Sequence, residues 1–414
     1  MSTDLQVSEL PESETLRLIE WLASFGETKE GGATRLLYSD SWLEAQRGIF
    51  ETFRDRGLTP FFDDAGNLYG RVEGTQQTSS AVVTGSHIDT VVNGGKYDGT
   101  YGIVASYLAV TRLMEAYGPP KKTIDVVSLC EEEGSRFPIT FWGSGHITGQ
   151  YAGEDPKDYI DKEGVSLETA MHKAGFGKNQ YPAPHRSDIE CFVEMHIEQG
   201  HVLEKNGCSV GVVEGIVGQR RYHIHVKGES NHAGTTPMTF RKDAMAAASE
   251  MIHWIHQEAF TDDHLVATVG QIEARPNTAN VIAGDVVFSL DIRHHRQDVL
   301  DAFCSSVFTQ LEETAEQNGV SMQASKWLDV SPVSMDPGLT RRALEQCSMH
   351  SIPTHPMFSG AGHDAQVFGN HFPTSLLFVP SQNGISHSPQ EFTCREDLEK
   401  GVRMMTEFLY TIAW

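Results

Sequence analysis

Residues 81–98 read AVVTGSHIDTVVNGGKYD, and this stretch predicts both the fold and the place of a functional site. Its apolar start, Ala81 to Val83, is typical of a buried strand, and it leads into His87 and Asp89 before a glycine-containing loop reaches Asp98. Imidazole and carboxylate groups are good ligands for zinc or manganese. Asp89 lies on the same side of an extended chain as His87, where it could orient the imidazole. Alone, the pattern equally describes a strand end whose polar residues enter a loop.

Three further apolar runs end in side chains that can bind a metal. The segment TIDVVSLCEEE runs into Glu131, Glu132 and Glu133, CFVEMHIEQG carries His196, and SLLFVPSQNGISH leads on to His387. In open α/β sheets the ligand site lies at the carboxyl ends of the strands. The sequence therefore predicts that all four contributions meet at one site.

Each of these contributions alone also has a plain structural interpretation. Glu131 to Glu133 fit a solvated acidic turn, His196 fits a buried core histidine, and His387 fits an exposed loop. Together, three histidines, one aspartate and one glutamate suffice for two metal ions if the aspartate bridges them. A carboxylate that is not a ligand must then take the proton of the attacking water. The neighbours Glu132 and Glu133 offer one side chain for each task.

The order of apolar segments predicts an α/β fold with an inserted domain. Strand and helix patterns alternate in the first half, as in an α/β sheet. Between 213 and 330 the predicted order is β-α-β-β-α-β, the ferredoxin-like arrangement, in which one strand is expected over residues 265–272 and helices over 241–258 and 297–317. We therefore predict a metal-binding α/β catalytic domain over 1–212 and 331–414, and an inserted lid or dimerisation domain over 213–330.

Composition narrows the class of protein. The 414 residues carry a formal net charge of -24, with 56 acidic against 32 basic residues, so a nucleic acid is an unfavourable partner. No apolar run is long enough to predict a membrane span. The first residues, MSTDLQVSELPESE, do not have the order of a secretory signal, and the six cysteines form no Cys-x-x-Cys pair. We expect a cytoplasmic enzyme with reduced thiols.

The motifs are similar to those of a known family. The stretches GSHIDTVVNGGKYDG, EEEGSRF, EMHIEQG, GESNHAGTTPM, RPNTANV, SGAGHDA and NGISH, in this order, resemble the carbamoylase branch of the dinuclear metallopeptidase family. The resemblance runs from about residue 20 to the C-terminus. Within the branch, VGQRRY, TRLLYSD, EEEGSRFP and VPSQNGISHSP are most similar to the members that hydrolyse allantoate. A member that acts on N-carbamoyl-L-amino acids, or a β-ureidopropionase, is the alternative.

The resemblance implies a role for individual residues. It makes His87, Asp98 (bridging), Glu133, His196 and His387 the ligands of two divalent metal ions per subunit, zinc or manganese, with cobalt possible. Glu132 becomes the general base, whereas Glu131 has no role. His232 becomes an oxyanion donor that reaches the reacting carbonyl, in relatives from the neighbouring subunit.

The resemblance also implies how the substrate is held. Arg293 and Asn280, with Gln219 nearby, would bind the carboxylate of a small anionic ureide, since a guanidinium can hold a carboxylate through two hydrogen bonds. The loop of Gly360, Ala361, Gly362 and His363 would contact a ureido group, although it also fits a plain turn. The family further implies a homodimer built through the inserted domain.

Overall fold

The computed structural model of this chain describes residues 13–76 and 79–414. Most of the N-terminal stretch used above to argue against a secretory signal lies outside these residues. Two compact units are formed: a first unit, Met1–Glu214 with Met335–Met357 and Gly362–Trp414, and a second unit, Gly215–Ser334 with Phe358–Ala361. The chain passes between the units four times, after Glu214, Ser334, Met357 and Ala361.

The first unit contains a mixed sheet. Its strands, numbered in chain order, are β1 (Thr59–Phe62), β2 (Leu68–Val72), β3 (Ala81–His87), β4 (Thr123–Leu129), β5 (Ile189–Ile197), β6 (Val210–Ile216), β13 (Thr354–Ser359) and β14 (Thr374–Val379). The order across the sheet is β1-β2-β4-β3-β5-β14-β6-β12, where β12 is the short strand Val333–Ser334, and β13 also pairs with β6. The four neighbours β4, β3, β5 and β14 are mutually parallel, so their carboxyl ends lie at one edge.

Helices cover both faces of the parallel strands. The first unit has α1 (Glu14–Ala23), α2 (Asp40–Asp55), α3 (Thr100–Tyr117), α4 (Trp142–Thr148), α5 (Leu167–Ala174), α6 (Val202–Asn206), α9 (Pro337–Met349), α10 (Asp364–Gly369) and α11 (Arg395–Ala413). Thr84 of β3 contacts Ser106 of α3 on one face. Phe192 of β5 stacks on Phe368 of α10 on the other, at a ring-centroid distance of 4.0 Å. Because helices cover both faces of the sheet, β3 and β4 are buried throughout. Strands buried on both faces are rich in apolar residues, and this makes them visible in the sequence.

The second unit is ferredoxin-like. Its elements are β7 (Gly218–Lys227), α7 (Ala244–Glu258), β8 (Val266–Thr268), β9 (Ile272–Arg275), β10 (Asp285–His294), α8 (Gln297–Gln317), β11 (Ser321–Val330) and the short β12 (Val333–Ser334). The antiparallel order is β11-β7-β10-β8, with β9 also on β10. Burial alternates along β10, whose Phe288, Leu290 and Ile292 join the core formed with α7 and α8. The other face, which carries Ser289, Asp291 and Arg293, is called the open face below.

The predicted α/β fold with an inserted β-α-β-β-α-β region is confirmed, with two local differences. The single strand expected over residues 265–272 is two strands, β8 and β9, because the backbone N–H groups of Gly270 and Gln271 donate to the hydroxyl of Ser289. The predicted helix over 241–258 begins later, at Ala244, where Asp243 caps it by accepting from the N–H groups of Met245 and Ala246. Among the described residues, no helix combines the length and apolar character needed to cross a membrane.

Candidate metal centre

The carboxyl edge of the four parallel strands collects the metal-competent side chains. His87 is the last residue of β3, and His196 is the last but one of β5. Glu132 and Glu133 follow β4, and His387 follows β14. Asp98 lies just before α3, in the loop that follows β3. The structure therefore brings together all five side chains expected to bind metal.

Asp98 lies between two groups of donor atoms. Its Oδ1 is 3.3 Å from His87 Nε2 and 3.2 Å from His196 Nε2. Its Oδ2 is 3.4 Å from His387 Nε2, which in turn is 3.5 Å from Glu133 Oε1. In each group, His87–Asp98–His196 and Asp98–Glu133–His387, the candidate ligand atoms all lie within 4.8 Å of one another. One carboxylate that faces two ligand groups is the arrangement needed to bridge two cations.

Three side chains that the sequence did not single out hold Asp98 in place. Gln199 Nε2 donates to Asp98 Oδ2 at 2.8 Å. The Ser386 hydroxyl, with one hydrogen to donate, lies between Asp98 Oδ2 at 2.9 Å and Glu391 Oε2 at 2.8 Å. Glu391 also accepts from the backbone N–H of Asp98 at 3.1 Å. Gln199 and Ser386 lie inside the motifs EMHIEQG and NGISH, but a glutamine and a serine carry no metal-ligand signal by themselves.

Asp89 connects the first metal group with the two glutamates. Its carboxylate accepts from the backbone N–H groups of Glu132 and Glu133, at 3.0 and 3.1 Å. Its Oδ1 also lies 3.4 Å from His87 Nδ1, and its own carbonyl oxygen is closer to that nitrogen, at 3.0 Å. Asp89 is thus placed to orient His87, as expected, and it additionally fixes the backbone that carries Glu132 and Glu133.

The electrostatics of the centre reflect crowded acidic groups. Burial, followed by the charge of Asp98, raises the pKa of Glu133 to about 7. Burial raises the pKa of Glu132 well above its ordinary value, against the opposing charge of His87. A hydrogen bond to Asp98 raises the pKa of His387 to about 9. Buried carboxylates this close repel one another, and a bound cation would relieve that repulsion.

The neighbouring acidic residues have structural contacts of their own. Glu131 is buried and accepts from the backbone N–H of Gly134 at 2.5 Å, so it closes the turn after β4. Glu194 of β5 accepts from Ser86 at 2.7 Å, and Asp364 accepts from Ser144 at 2.5 Å. Neither Glu194 nor Asp364 could be predicted as part of the centre, because the sequence does not distinguish a buried acidic residue from a solvated one.

The loop after β13 is divided between the two units. Gly360 and Ala361 belong to the second unit, whereas Gly362 and His363 belong to the first. His363 is buried, and its ring centroid lies 4.6 Å from that of His196. Burial, followed by the charge of His196, lowers the pKa of His363 well below its ordinary value, so a neutral ring faces the centre.

Within the second unit, the expected substrate residues form two separate sets. Gln219 and Arg293 are opposite each other on β7 and β10. His232 and Asn280 lie beyond the other end of these strands, where the N–H of Ala233 donates to Asn280 O and His232 is bridged to Val281. Eight residues of β10 separate the two sets, roughly 25 Å of extended chain. Both His232 and Asn280 are exposed.

The donor set at the sheet edge fits divalent metal ions. It combines imidazole nitrogens with carboxylate oxygens, has no thiolate, and lies behind a second layer of hydrogen bonds from Asp89, Gln199 and Ser386. Such a set suits zinc, manganese or cobalt, and the second layer is what orients ligands in metal sites. The fold and this centre together indicate a metal-dependent hydrolase.

The chain belongs to peptidase family M20/M25/M40, whose sequence profile matches residues 83–411. It is therefore an enzyme of a metal-dependent hydrolase family. It is 49% identical to the allantoate amidohydrolase of Bacillus subtilis over 96% of both chains. It is 36% identical to an N-carbamoyl-L-amino acid amidohydrolase of Geobacillus stearothermophilus, again over 96% of both chains. A solved hydantoinase/carbamoylase family amidase from Burkholderia multivorans is similar to it with a TM-score of 0.92 and 31% identity, over 96% of this chain and 97% of that one.

Proposed function

We propose that this enzyme hydrolyses the terminal ureido group of allantoate, in the degradation of purine-derived ureides. The products are ureidoglycine, ammonia and carbon dioxide, formed with one water molecule. The observation that carries the proposal is the near full-length similarity to an allantoate amidohydrolase, which exceeds the similarity to the N-carbamoyl-L-amino acid enzyme. The complete set of donor groups at the sheet edge supports a catalytic rather than a silent binding role.

We propose that two divalent metal ions, zinc or manganese, bind at the sheet edge. His87 and His196 would hold one, Glu133 and His387 the other, and Asp98 both. When bound, such ions polarise a carbonyl and lower the pKa of water. The two-sided position of Asp98, with one oxygen towards each group, supports this assignment.

Glu132 is proposed as the general base. Its backbone is fixed by Asp89, and its side-chain oxygen lies within 4.8 Å of donor atoms of His87 and Glu133. Its raised pKa suits a group that takes a proton from water at the ureido carbonyl and passes it to the leaving nitrogen. A general base of this kind contributes about 10²–10⁴-fold to the rate.

We propose that the active enzyme is a homodimer in which a second copy completes the site. Arg293 and Gln219 would bind the substrate carboxylate, with the loop from Gly360 to His363 nearby. His232 would donate to the oxyanion, with Asn280 beside it. These two sets lie roughly 25 Å apart along the same sheet, farther than a single small substrate extends. The second unit of one chain would therefore contribute Arg293 to one active site and His232 to another. Each active site would then need two copies of the chain.

An exposed apolar surface on the second unit supports this assembly. Large apolar side chains are exposed before α7, at its start, after its end and on the strands β8 and β9: Met238, Phe240, Met245, Phe260, Val266 and Ile272. Exposed apolar side chains on an edge strand such as β8 are typical of a protein interface. The second unit is accordingly proposed as the lid and dimerisation domain, with closure around the bound substrate.

A cytoplasmic location is proposed on the state of the thiols. All six cysteines are unpaired, and four of them are buried. Reduced, scattered cysteines are the usual state of a protein kept in a reducing compartment.

Ammonia release from a panel of substrates tests the proposed function. The purified, metal-loaded enzyme is given allantoate, N-carbamoyl-L-methionine and N-carbamoyl-β-alanine, and kcat/KM is measured for each. We expect allantoate to be preferred by at least tenfold, the size of effect that one well-placed polar contact gives. A higher kcat/KM for either carbamoyl amino acid would assign the chain to the alternative activity.

A further inference from the structure

The open face of the second unit contains a cavity of about 620 Å³ beside Arg293. Arg221, His223, Gln271 and Ser289 contribute polar groups to its wall, and Trp327 contributes an aromatic ring. The break between β8 and β9 helps to form it, because Gly270 and Gln271 turn towards Ser289 instead of continuing the ladder. The wall thus combines these hydrogen-bonding groups with apolar surface from Val266, Leu290 and Trp327.

A β-bulge places Trp327 on this face. In the pairing of β11 with β7, Lys326 is opposite Tyr222 and Leu328 is opposite Arg221, so Trp327 is the extra residue. Its ring is 51% exposed, 5.2 Å from the guanidinium carbon of Arg221 and 5.8 Å from the ring of His223. Bulges that redirect a side chain are common next to binding sites. The ring packs against Arg221 and His223, and its remaining surface is open to the pocket.

Asp291 holds Arg221 and Arg293 side by side. Arg293 Nε and Nη2 donate to the two oxygens of Asp291, each at 3.0 Å, and Arg221 Nε donates to Asp291 Oδ2 at 2.8 Å. Gln219 donates to the same Oδ2 at 2.8 Å. Arg293 Nη1 donates to Gly360 O at 2.6 Å. One edge of the Arg293 guanidinium is therefore occupied by Asp291 and Nη1 also binds Gly360 O, so one N–H of Nη1 and one of Nη2 are left as donors for a second carboxylate.

We infer that this pocket receives the second ureido group of the substrate and selects ureides over N-carbamoyl amino acids. The inference rests on the proposed function, in which Arg293 binds the substrate carboxylate. In allantoate the carboxylate and both ureido groups branch from one carbon. When the carboxylate of allantoate is bound at Arg293, the second ureido group of the same molecule is therefore within reach of the adjacent Arg221.

The chemistry of the pocket matches a planar ureido group. Arg221 and the Ser289 hydroxyl can donate to the ureido oxygen, Gln271 can accept from the ureido N–H groups, and Trp327 offers a flat apolar surface. An aliphatic side chain at this place would remove water from Arg221 and Gln271 without replacing their hydrogen bonds, which is strongly unfavourable. The pocket thus excludes the substrates of the alternative activity.

The test compares Arg221→Met with Arg220→Met. Arg220 is the neighbouring residue, but its side chain pairs with Asp329 and with Asp301 of α8, away from the open face. We expect Arg221→Met to raise KM for allantoate roughly tenfold or more, as for loss of a charge-assisted hydrogen bond. The kcat/KM for N-carbamoyl-L-methionine should change less than about threefold, and Arg220→Met should leave the ratio of the two unchanged.

A second variant, Gln271→Leu, keeps the test valid if Arg221→Met folds poorly, since Gln271 is exposed in the connection between β8 and β9. It should also shift the preference away from allantoate. An unchanged preference in both variants, or an equal loss on both substrates, overturns the pocket assignment while the proposed function stands. If the unmodified enzyme already prefers the carbamoyl amino acid, the proposed function fails and the pocket assignment fails with it.

Discussion

At the residue scale, the candidate metal centre is marked by crowded carboxylates and histidines whose pKa values are strongly shifted. Asp98 has its pKa held well below the ordinary range, against the effect of burial, by contacts with His196, His387 and His87. Glu133 and His387, on its other side, have raised pKa values. The ligand types and their place after apolar runs could be predicted from sequence. The contacts of Gln199, Ser386 and Glu391 could not, because they depend on which loops meet in space.

The shifted pKa values predict that metal stabilises the enzyme more at higher pH. Without metal, Glu133 keeps its proton up to about pH 7 and His387 up to about pH 9, and both groups must be deprotonated to bind a cation. Their raised pKa values add stability to the metal-free fold at low pH, and this contribution is lost as pH rises through about 7 and about 9. The gain in Tm on adding zinc or manganese should therefore be larger at about pH 8 than at about pH 6. An equal or smaller gain at the higher pH would show that these groups are not displaced by metal.

At the scale of elements, the site depends on four parallel strands that end together and on the start of α3. Apolar runs locate β3, β4, β5 and β14 well, because a strand buried on both faces is a continuous apolar segment. The division of β8 from β9 could not be predicted, because it is caused by the hydroxyl of Ser289 on another strand. Sequence periodicity does not show a hydrogen bond between residues that are 18 positions apart.

Gly99 and Gly118, at the two ends of α3, give a matched pair of substitutions. Both have positive φ, 61° and 76°, but a Cβ on Gly99 would lie 2.5 Å from the His87 ring, whereas Gly118 has nothing within 4 Å. We expect Gly118→Ala to cost about 1–3 kcal/mol in the free energy of unfolding through backbone strain alone, since its φ of 76° and ψ of -159° are adopted almost only by glycine. Gly99→Ala should cost roughly 2 kcal/mol more, from overpacking, and should lower the bound metal. Denaturant unfolding and metal analysis measure both, and equal costs with full metal content would contradict the tight fit around His87.

At the scale of the whole molecule, the two units have different proposed tasks. The first unit carries the candidate metal ligands and Glu132, and the second carries Arg293 at one end of its sheet and His232 at the other. The α/β fold and the inserted region could be predicted from segment order. The separation of Arg293 from Asn280 and His232 could not, because motif order along the chain does not report which end of a sheet a loop occupies.

We propose that Glu132 of one chain and His232 of a second copy act at the same metal centre. This is tested by the allantoate hydrolysis of a heterodimer that joins a Glu132→Gln chain to a His232→Ala chain, isolated through two different affinity tags. Each variant alone should lose about 10²-fold or more in kcat with unchanged metal content. The heterodimer should recover about half of the unmodified activity, since one of its two sites has both groups. A heterodimer no more active than the two single-variant enzymes, or a Glu132→Gln enzyme that turns over normally, would contradict this shared site.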